Sequence, residues 1–209
     1  MVIRPGQEWG RREIPPEGLH SAHDDRAIAE LFSRGVQDVA VLGGDMFRTL
    51  GGSIARGRSA SAEMTRLPID ILRIRYRSLG NNEWSVVHAI AHVVLRSANS
   101  GGGWLNGPAV IVANAQYLGR WDVAPRGHPN DGRCEVLEVN SKMPIRQRLL
   151  ARRRLFTGTH LPHPLITSSS TKQYRYHGSG LVLWVDGSRT SAVEQVEIEV
   201  VVDGIVLWV

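Results

Sequence analysis

Between residues 24 and 44 the spacing of apolar positions changes period. In "DDRAIAELFSRG" Ile28, Leu31 and Phe32 recur at helical spacing behind an acidic start, and Gly35 supplies a stop, so a helix is expected. "DVAVLGG" follows as a short apolar run closed by glycines, the mark of a buried strand. This pair is the one clear α/β element in the chain. From residue 67 the texture becomes β-rich: "IDILRIRY", "AVIVANA", "CEVLEV", "KQYRYH", "LVLWV", "VEQVEIEVVV" and "IVLWV" are alternating or β-branched runs parted by turn residues. Asp186-Gly187 and Asp203-Gly204 each fall between apolar runs, and Asp-Gly favours a tight hairpin turn, so the last two runs are expected to pair as a hairpin. One helix interrupts the series at "PIRQRLLARRRLF", with Pro144 in the first turn and Ile145, Leu149, Leu150 and Phe156 available for packing. Residues 1–23 read as an irregular arm, and "SANSGGGWLNG" and "TSSSTK" as flexible loops. No internal repeat is visible.

Composition narrows the class. At 209 residues the chain forms one large domain or two small ones, and 42% apolar with 22% charged residues is ordinary for a globular protein. No apolar run reaches the roughly 18 to 20 residues that span a bilayer, and "MVIRPGQEWGRRE" lacks the apolar centre of a signal peptide; a cytoplasmic location is the expectation. The single Cys134 forms no internal disulfide, in keeping with a reducing compartment. The formal charge is +5, and all but Lys142 and Lys172 of the 25 basic residues are arginine. Arginine suits phosphate and carboxylate groups, but a codon bias gives the same excess, so charge alone names no partner.

Several stretches carry candidate chemistry. His88 and His92 in "VVHAIAHVV" would share a face on a helix, as metal ligands do, but no Glu lies between them and the flanks are β-branched. On a strand they would stand about 13 Å apart, so they read as packed histidines. "THLPHP" places His160 and His163 near no third ligand at a recognised spacing, and neither a G-x-S-x-G elbow nor a phosphate-binding G-x-x-x-x-G-K-[ST] loop is present. In "VLGGDMFRTLGG" a strand ends at Gly43 and Gly44, with Asp45 next. Such glycines let amides approach a phosphate and Asp45 could hold a metal or its water; equally, the glycines make a tight turn and Asp45 caps the helix that follows. "APRGHPNDGRCEVLEV", residues 124–139, crowds turn residues around Asp131. Either carbonyls and a carboxylate converge there on a divalent cation, or Asp131 bonds its own backbone in a rigid turn.

Taken together these stretches resemble the diacylglycerol kinase catalytic-domain family, which includes bacterial lipid kinases and sphingosine and ceramide kinases. "VANAQYLGRWDVAPRGHPNDGRCEVLEV", residues 112–139, is similar to that family's pattern of an Asn after a strand, a Gly turn, Ala-Pro, then Asp-Gly before another strand. "GGDMFRTLG", residues 43–51, resembles its G-N-D-F-A-R-x-L-G segment, "LPIDILRI" the strand entering its second domain, and "LVLWVDGS" its late D-G-E hairpin. The resemblance spans nearly everything from residue 36 to the end.

It implies an α+β fold: a reduced α/β nucleotide-domain remnant over residues 1–66 and a larger, mainly antiparallel β-sandwich domain over 67–209. It implies phosphoryl transfer from ATP, with Mg²⁺, to a diacylglycerol-like or sphingoid lipid hydroxyl in a cleft between the two. Asp45 and Asp186 would be catalytic, Gly43, Gly44, Arg48 and Thr49 would bind nucleotide, and Asp131 with the carbonyls of His128 and Arg133 would hold a structural divalent ion. The departures are specific. The G-G-D-G-T signature that cradles phosphates is missing, Gly44 replaces the Asn of the G-N-D segment, and Ser188 stands where a general-base Glu is expected. The resemblance therefore accommodates a catalytically degenerate kinase. The alternative is a binding or regulatory module in which Arg146, Arg148, Arg152, Arg153 and Arg154 face anionic lipid headgroups or nucleotide, nucleic acid being the less favoured partner. A homodimer that completes the shortened cleft would use exposed strand edges.

Overall fold

A computed structural model of the chain describes residues 9–52, 63–97 and 104–209. Two short strands, β1 (Arg11–Glu13) and β2 (His20–Ala22), occupy what the sequence reads as an irregular arm. Then come helix α1 (Asp25–Ser33), strand β3 (Asp38–Val41) and helix α2 (Gly44–Thr49). Asp24 caps α1 by accepting the Ala27 N–H at 2.7 Å, and β3 pairs in parallel with β2. The expected helix-then-strand unit is therefore present. Residues 1–8 of the arm and 98–103 of the Gly-rich loop lie outside the described residues.

The rest is mainly strand: β4 (Met64–Ser78), β5 (Trp84–Ala89), β6 (His92–Ser97), β7 (Ala109–Ala113), the small hairpin β8 (Tyr117–Leu118) and β9 (Trp121–Asp122), and β10 (Cys134–Val139). Helix α3 (Ile145–Leu155) precedes β11 (Ile166–Thr171), β12 (Gln173–Val185) and β13 (Ser188–Trp208). The main sheet runs β1-β4-β13-β12-β6-β7-β10-β11, with β5 also on β4 and β3 on β13. Its pairs are antiparallel except those made by β3. This is the expected α+β class: a small α/β part joined to a larger antiparallel β part.

How the two parts join is written in β4. Leu67, Ile69 and Ile71 point into a first core with Ile28, Val39 and Met46. Leu72 and Ile74 point into a second with Leu95, Val112 and Leu183. The apolar parity switches at Ile71-Leu72, so the strand buries opposite faces at its two ends, and Ile69 through Leu72 are buried throughout. Each residue on a strand alternates faces, so a strand that changes its buried face needs a stretch covered on both sides.

Four expectations change. Asp203-Gly204 is not a hairpin turn: "VEQVEIEVVV" and "IVLWV" are one strand, β13, whose pairing with β4 jumps from Val201↔Ile71 to Ile205↔Ile69. Asp203 takes a positive φ of 52° and makes a bulge there. "KQYRYH" and "LVLWV" likewise join as β12, with an irregularity between His177 and Leu181. "TSSST" is the outermost strand, paired with β10 throughout. On α3, Ile145, Leu149, Leu150 and Phe156 are exposed, at 53%, 45%, 55% and 48%. The buried residues are Arg148 and Ala151. Arg148 donates to the carbonyls of Met143, Trp104, Gly107 and Asn140, which fastens the helix by its polar side. By contrast, Asp186-Gly187 is a two-residue hairpin turn as expected, with φ of 42° and 78° between the paired Val185 and Ser188.

Candidate active site

The site is built around three carboxylates at the end of β3. Asp25, in the first turn of α1, accepts the N–H of Asp45 at 2.7 Å and of Met46 at 3.0 Å, capping α2, whose N-cap Gly43 has no side chain to do so. The glycines make this approach possible. A Cβ on Gly43 would strike the His23 carbonyl, and one on Gly44, at φ 99°, would lie 2.6 Å from Asp25 Oδ1. Asp25 thus takes the first two amides after the glycines, those of Asp45 and Met46. Asp45 is not the cap of α2; its Oδ1 accepts the Gly119 N–H at 2.9 Å and its Oδ2 lies 3.7 Å from His92 Nδ1.

Arg48 and Thr49, read as nucleotide-binding, tie α2 to the β8–β9 hairpin. Arg48 donates to the Gly119 carbonyl at 2.6 Å and lies over the Tyr117 ring. Thr49 Oγ1 accepts the Gln116 N–H at 3.0 Å. Together with Asp45 they fix one wall of the cleft from the β-rich part. The Asp45 side chain keeps 24% exposure between its Gly119 and His92 neighbours.

Asp186 is held from another side. Its carboxylate accepts the N–H groups of Ile90, Ala91 and His92 at 2.8, 3.0 and 2.9 Å, which are the turn between β5 and β6. Asn114 clamps the same turn by donating to the Ile90 carbonyl at 2.9 Å and to the Asp70 carbonyl at 2.8 Å. His88 and His92 therefore sit on two different strands, β5 and β6, rather than on one; His92 is 2% exposed and its Nε2 has no hydrogen-bond partner.

The charges are under strain. Burial, reinforced by Asp186, pushes Asp25 up to about 7. Burial raises Asp186 to about 6 against its three amide donors, with Asp45 adding to the rise. Asp45 is raised by burial too, partly offset by Gly119 and Arg48. His92 goes the other way, held down to about 4 by burial, so its ring is neutral at physiological pH. Three carboxylates with elevated pKa values in one cleft are a functional-site signature.

The turn-rich loop is bonded both to itself and to a buried acid. Asp131 Oδ1 accepts the Arg133 N–H, the Arg133 guanidinium bonds Ser170, and His128 Nδ1 accepts the Asn130 N–H. Inward, the loop meets Asp70 from both sides of its chemistry, the Pro129 carbonyl accepting the Asp70 N–H at 2.8 Å and two donors facing its carboxylate. The Gly132 N–H at 2.7 Å and Asn130 Nδ2 at 3.4 Å point at Asp70, which also takes the Asp203 N–H at 3.0 Å from the β13 bulge. Asp70 is fully buried and raised to about 6 by that burial. The loop satisfies a carboxylate stranded where β4 is covered on both faces. Among the described residues no group of three or more His, Cys, Asp and Glu side chains is disposed to hold a metal.

Sequence reasoning missed Asp25 and Asp70, and it read His92 as a packed histidine without its place beside Asp45. The doubled acid of "HDDR" was a usable sign for the first, since one Asp suffices to cap α1. "IDIL" was a sign for the second, an acid inside an apolar run with no place at the surface.

Two cavities adjoin the Asp186-Gly187 turn. One, of about 540 Å³, is lined by Asp186 itself with Arg26, Arg34, His88 and Arg189. The other, of about 510 Å³, is lined by His92, Gly119 and Gly187 together with aromatic side chains.

No family profile and no curated protein sequence matches the chain. Solved structures do. A protein assigned as a diacylglycerol kinase from Bacillus anthracis strain Sterne superimposes with a TM-score of 0.62 at 14% identity, covering 90% of this chain and 77% of that one. Two further structures so assigned from that strain give TM-scores of 0.58 and 0.53 at 13% and 14% identity, each covering 81% of this chain and 69% and 67% of theirs. The chain has a diacylglycerol kinase-like fold.

Proposed function

We propose that this chain, built on a diacylglycerol kinase-like fold, transfers a phosphoryl group from a nucleoside triphosphate to the hydroxyl of a lipid-like acceptor. The observation that carries the reading is the position of Asp186, fixed by three backbone amides, close enough to Asp45 and Asp25 to interact with both, and lining one cavity while its neighbour Gly187 lines a second. Phosphoryl transfer asks a protein for in-line positioning, charge neutralisation and a proton acceptor, and little covalent chemistry. Arg34 and Arg189 border the cavity beside Asp186 and suit nucleotide phosphates.

The donor set fits Mg²⁺ only as an ion shared with substrate phosphates, because the carboxylates form no complete cage. Asp45 Oδ2 would hold it, and it would offset the charge of the transferred group. Asp186 takes over the proton from the acceptor hydroxyl: a carboxylate held near 6 is a competent base at neutral pH, and Ser188, where a Glu was expected, is engaged by Arg26 at 3.4 Å. Asp45 stays oriented through Gly119.

Titration calorimetry with Mg-ATP and transfer of labelled γ-phosphate to a panel of neutral and anionic lipid alcohols test this. Saturable nucleotide binding is expected in the native chain and in Asp186→Asn, with transfer falling at least about 100-fold in the latter. Asp45→Asn is expected to weaken Mg-ATP binding. Absence of nucleotide binding sinks the reading.

A second reading has its own observation. On α3 the exposed Ile145, Leu149 and Phe156 form a stripe bordered by Arg146, Arg152 and Arg153, an arrangement that lies on anionic membranes. Co-sedimentation with anionic but not neutral vesicles, lost at high salt and without any nucleotide binding, would favour a membrane-binding module. No described helix is long and apolar enough to cross a membrane.

A further inference from the structure

The 510 Å³ cavity has a chemistry that a neutral acceptor does not call for. Three guanidiniums border it, those of Arg96, Arg120 and Arg152. Each lies over an aromatic ring of the same wall: Arg96 at 4.3 Å from the Trp184 ring centre, Arg120 at 5.6 Å from Phe156 and Arg152 at 5.5 Å from Trp121. Stacking orients a guanidinium while leaving its edge N–H groups to bond a ligand. Arg120 and Arg152 have no carboxylate partner among the described residues, and no Asp or Glu lines the cavity.

The lining of the cavity reaches the carboxylates: His92, beside Asp45, and Gly187, next to Asp186, both belong to it, and the buried His92 ring has an unpartnered Nε2. Val94, Leu118 and Trp104 make part of its wall apolar, and the exposed Phe156, also in the lining, follows the apolar stripe of α3. A volume of this size suits a small-molecule ligand, and apolar walls with a few fixed polar groups are what such sites present. Cationic groups set in an apolar wall bind best a molecule that is itself anionic and apolar.

We propose that this cavity binds an anionic amphiphile, a molecule joining a phosphate or carboxylate group to an acyl or aryl body. This rests on the phosphotransfer reading for the role of the bound molecule as acceptor, with its hydroxyl at the Asp186 end and its anionic group on Arg96, Arg120 and Arg152. The acceptor is then a charged lipid and not a neutral diacylglycerol.

Three of the chain's six tryptophans line the cavity, so binding is readable from intrinsic fluorescence. The full chain is titrated with monododecyl phosphate, dodecyl maltoside, dodecyltrimethylammonium and inorganic phosphate, each below its micellar concentration. Monododecyl phosphate is expected to bind at least about tenfold more tightly than each of the others, the difference that one or two charge-assisted hydrogen bonds supply. Arg120→Gln with Arg152→Gln should remove that preference, and the paired Lys substitutions should keep most of it. Both arginines are exposed, so the variants are expected to melt with the native chain; the ligand series decides the matter without them. Equal affinity for the maltoside or the ammonium amphiphile overturns the proposal, as does equal affinity for inorganic phosphate, which would indicate a site for a small anion. Preference for the phosphate amphiphile without any transfer from Mg-ATP would retire the kinase reading and leave this site standing. Transfer to a neutral diacylglycerol as fast as to an anionic glycerolipid would do the reverse.

Discussion

Asp70 shows what a single buried acid demands of its surroundings. It sits in the stretch of β4 covered on both faces, and its oxygens are met by the Gly132 and Asp203 amides and by Asn130 Nδ2. Removing the carboxylate leaves those donors buried without an acceptor, at a cost of about 3 kcal/mol or more for Asp70→Ala. Asp131, which bonds only its own turn at the loop surface, should cost under about 1 kcal/mol when replaced by Ala. Urea denaturation of the two variants checks this, and equal losses would mean that the loop is organised around Asp131 after all. Gly44→Ala meets two obstacles, a φ of 99° and the Asp25 carboxylate in the space of the new methyl group. It should lose about 1–3 kcal/mol and weaken nucleotide binding, because the same contact positions Asp45.

Among the elements, α3 and the β4–β13 pair are opposites in how their sequences relate to their packing. Arg73, Arg75 and Arg77 on β4 face Glu199, Glu197 and Glu194 on β13, with the first two pairs in direct register. These exposed pairs are each worth under about 1 kcal/mol, and their use is to penalise a one-residue slip that would bring the basic face onto the core. In α3 the apolar residues face out and an arginine faces in. Arg148→Ala strands four carbonyls and should cost about 2–4 kcal/mol, whereas the double variant Leu149→Ser with Leu150→Ser should change stability by less than about 1 kcal/mol. Thermal melts of both compare directly. If the leucine variant is the more damaging, the exposed stripe is packed in solution.

For the whole molecule, the pH dependence of stability combines opposing shifts. Asp25 and Asp186 have folded values near 7 and 6, above their unfolded 3.8. The native state keeps protons that the unfolded chain has released, so their contribution is full below about 3.8 and is lost as pH rises through 6 to 7. His92, depressed from 6.5 to about 4, contributes stability above 6.5 that is lost as pH falls toward 4, by up to about 3 kcal/mol. His92→Gln removes only the second effect. Relative to the native chain it should therefore gain stability steadily between pH 6.5 and 4.5, read as urea midpoints across that range; a pH-independent difference would mean His92 is solvated. The layout behind these groups was partly visible in the chain itself. The helix-to-strand unit, the runs of β4, β7 and β10 and the Asp186-Gly187 turn follow from periodicity and from local backbone preference, which act over a few residues and need no partner. The parity switch at Ile71-Leu72 was likewise written in the order of side chains. Other features depended on neighbours far along the chain. Asp203-Gly204 is a bulge because Asp70 and both ends of β4 hold it in one strand, and Gly43-Gly44 serve Asp25 because α1 folds over them. His92 belongs to a cleft because β6 brings it to Asp45. Short-range propensity cannot register which distant donor satisfies a buried acid, and in this protein that choice places the carboxylates, the two cavities beside them and the arginines of the second.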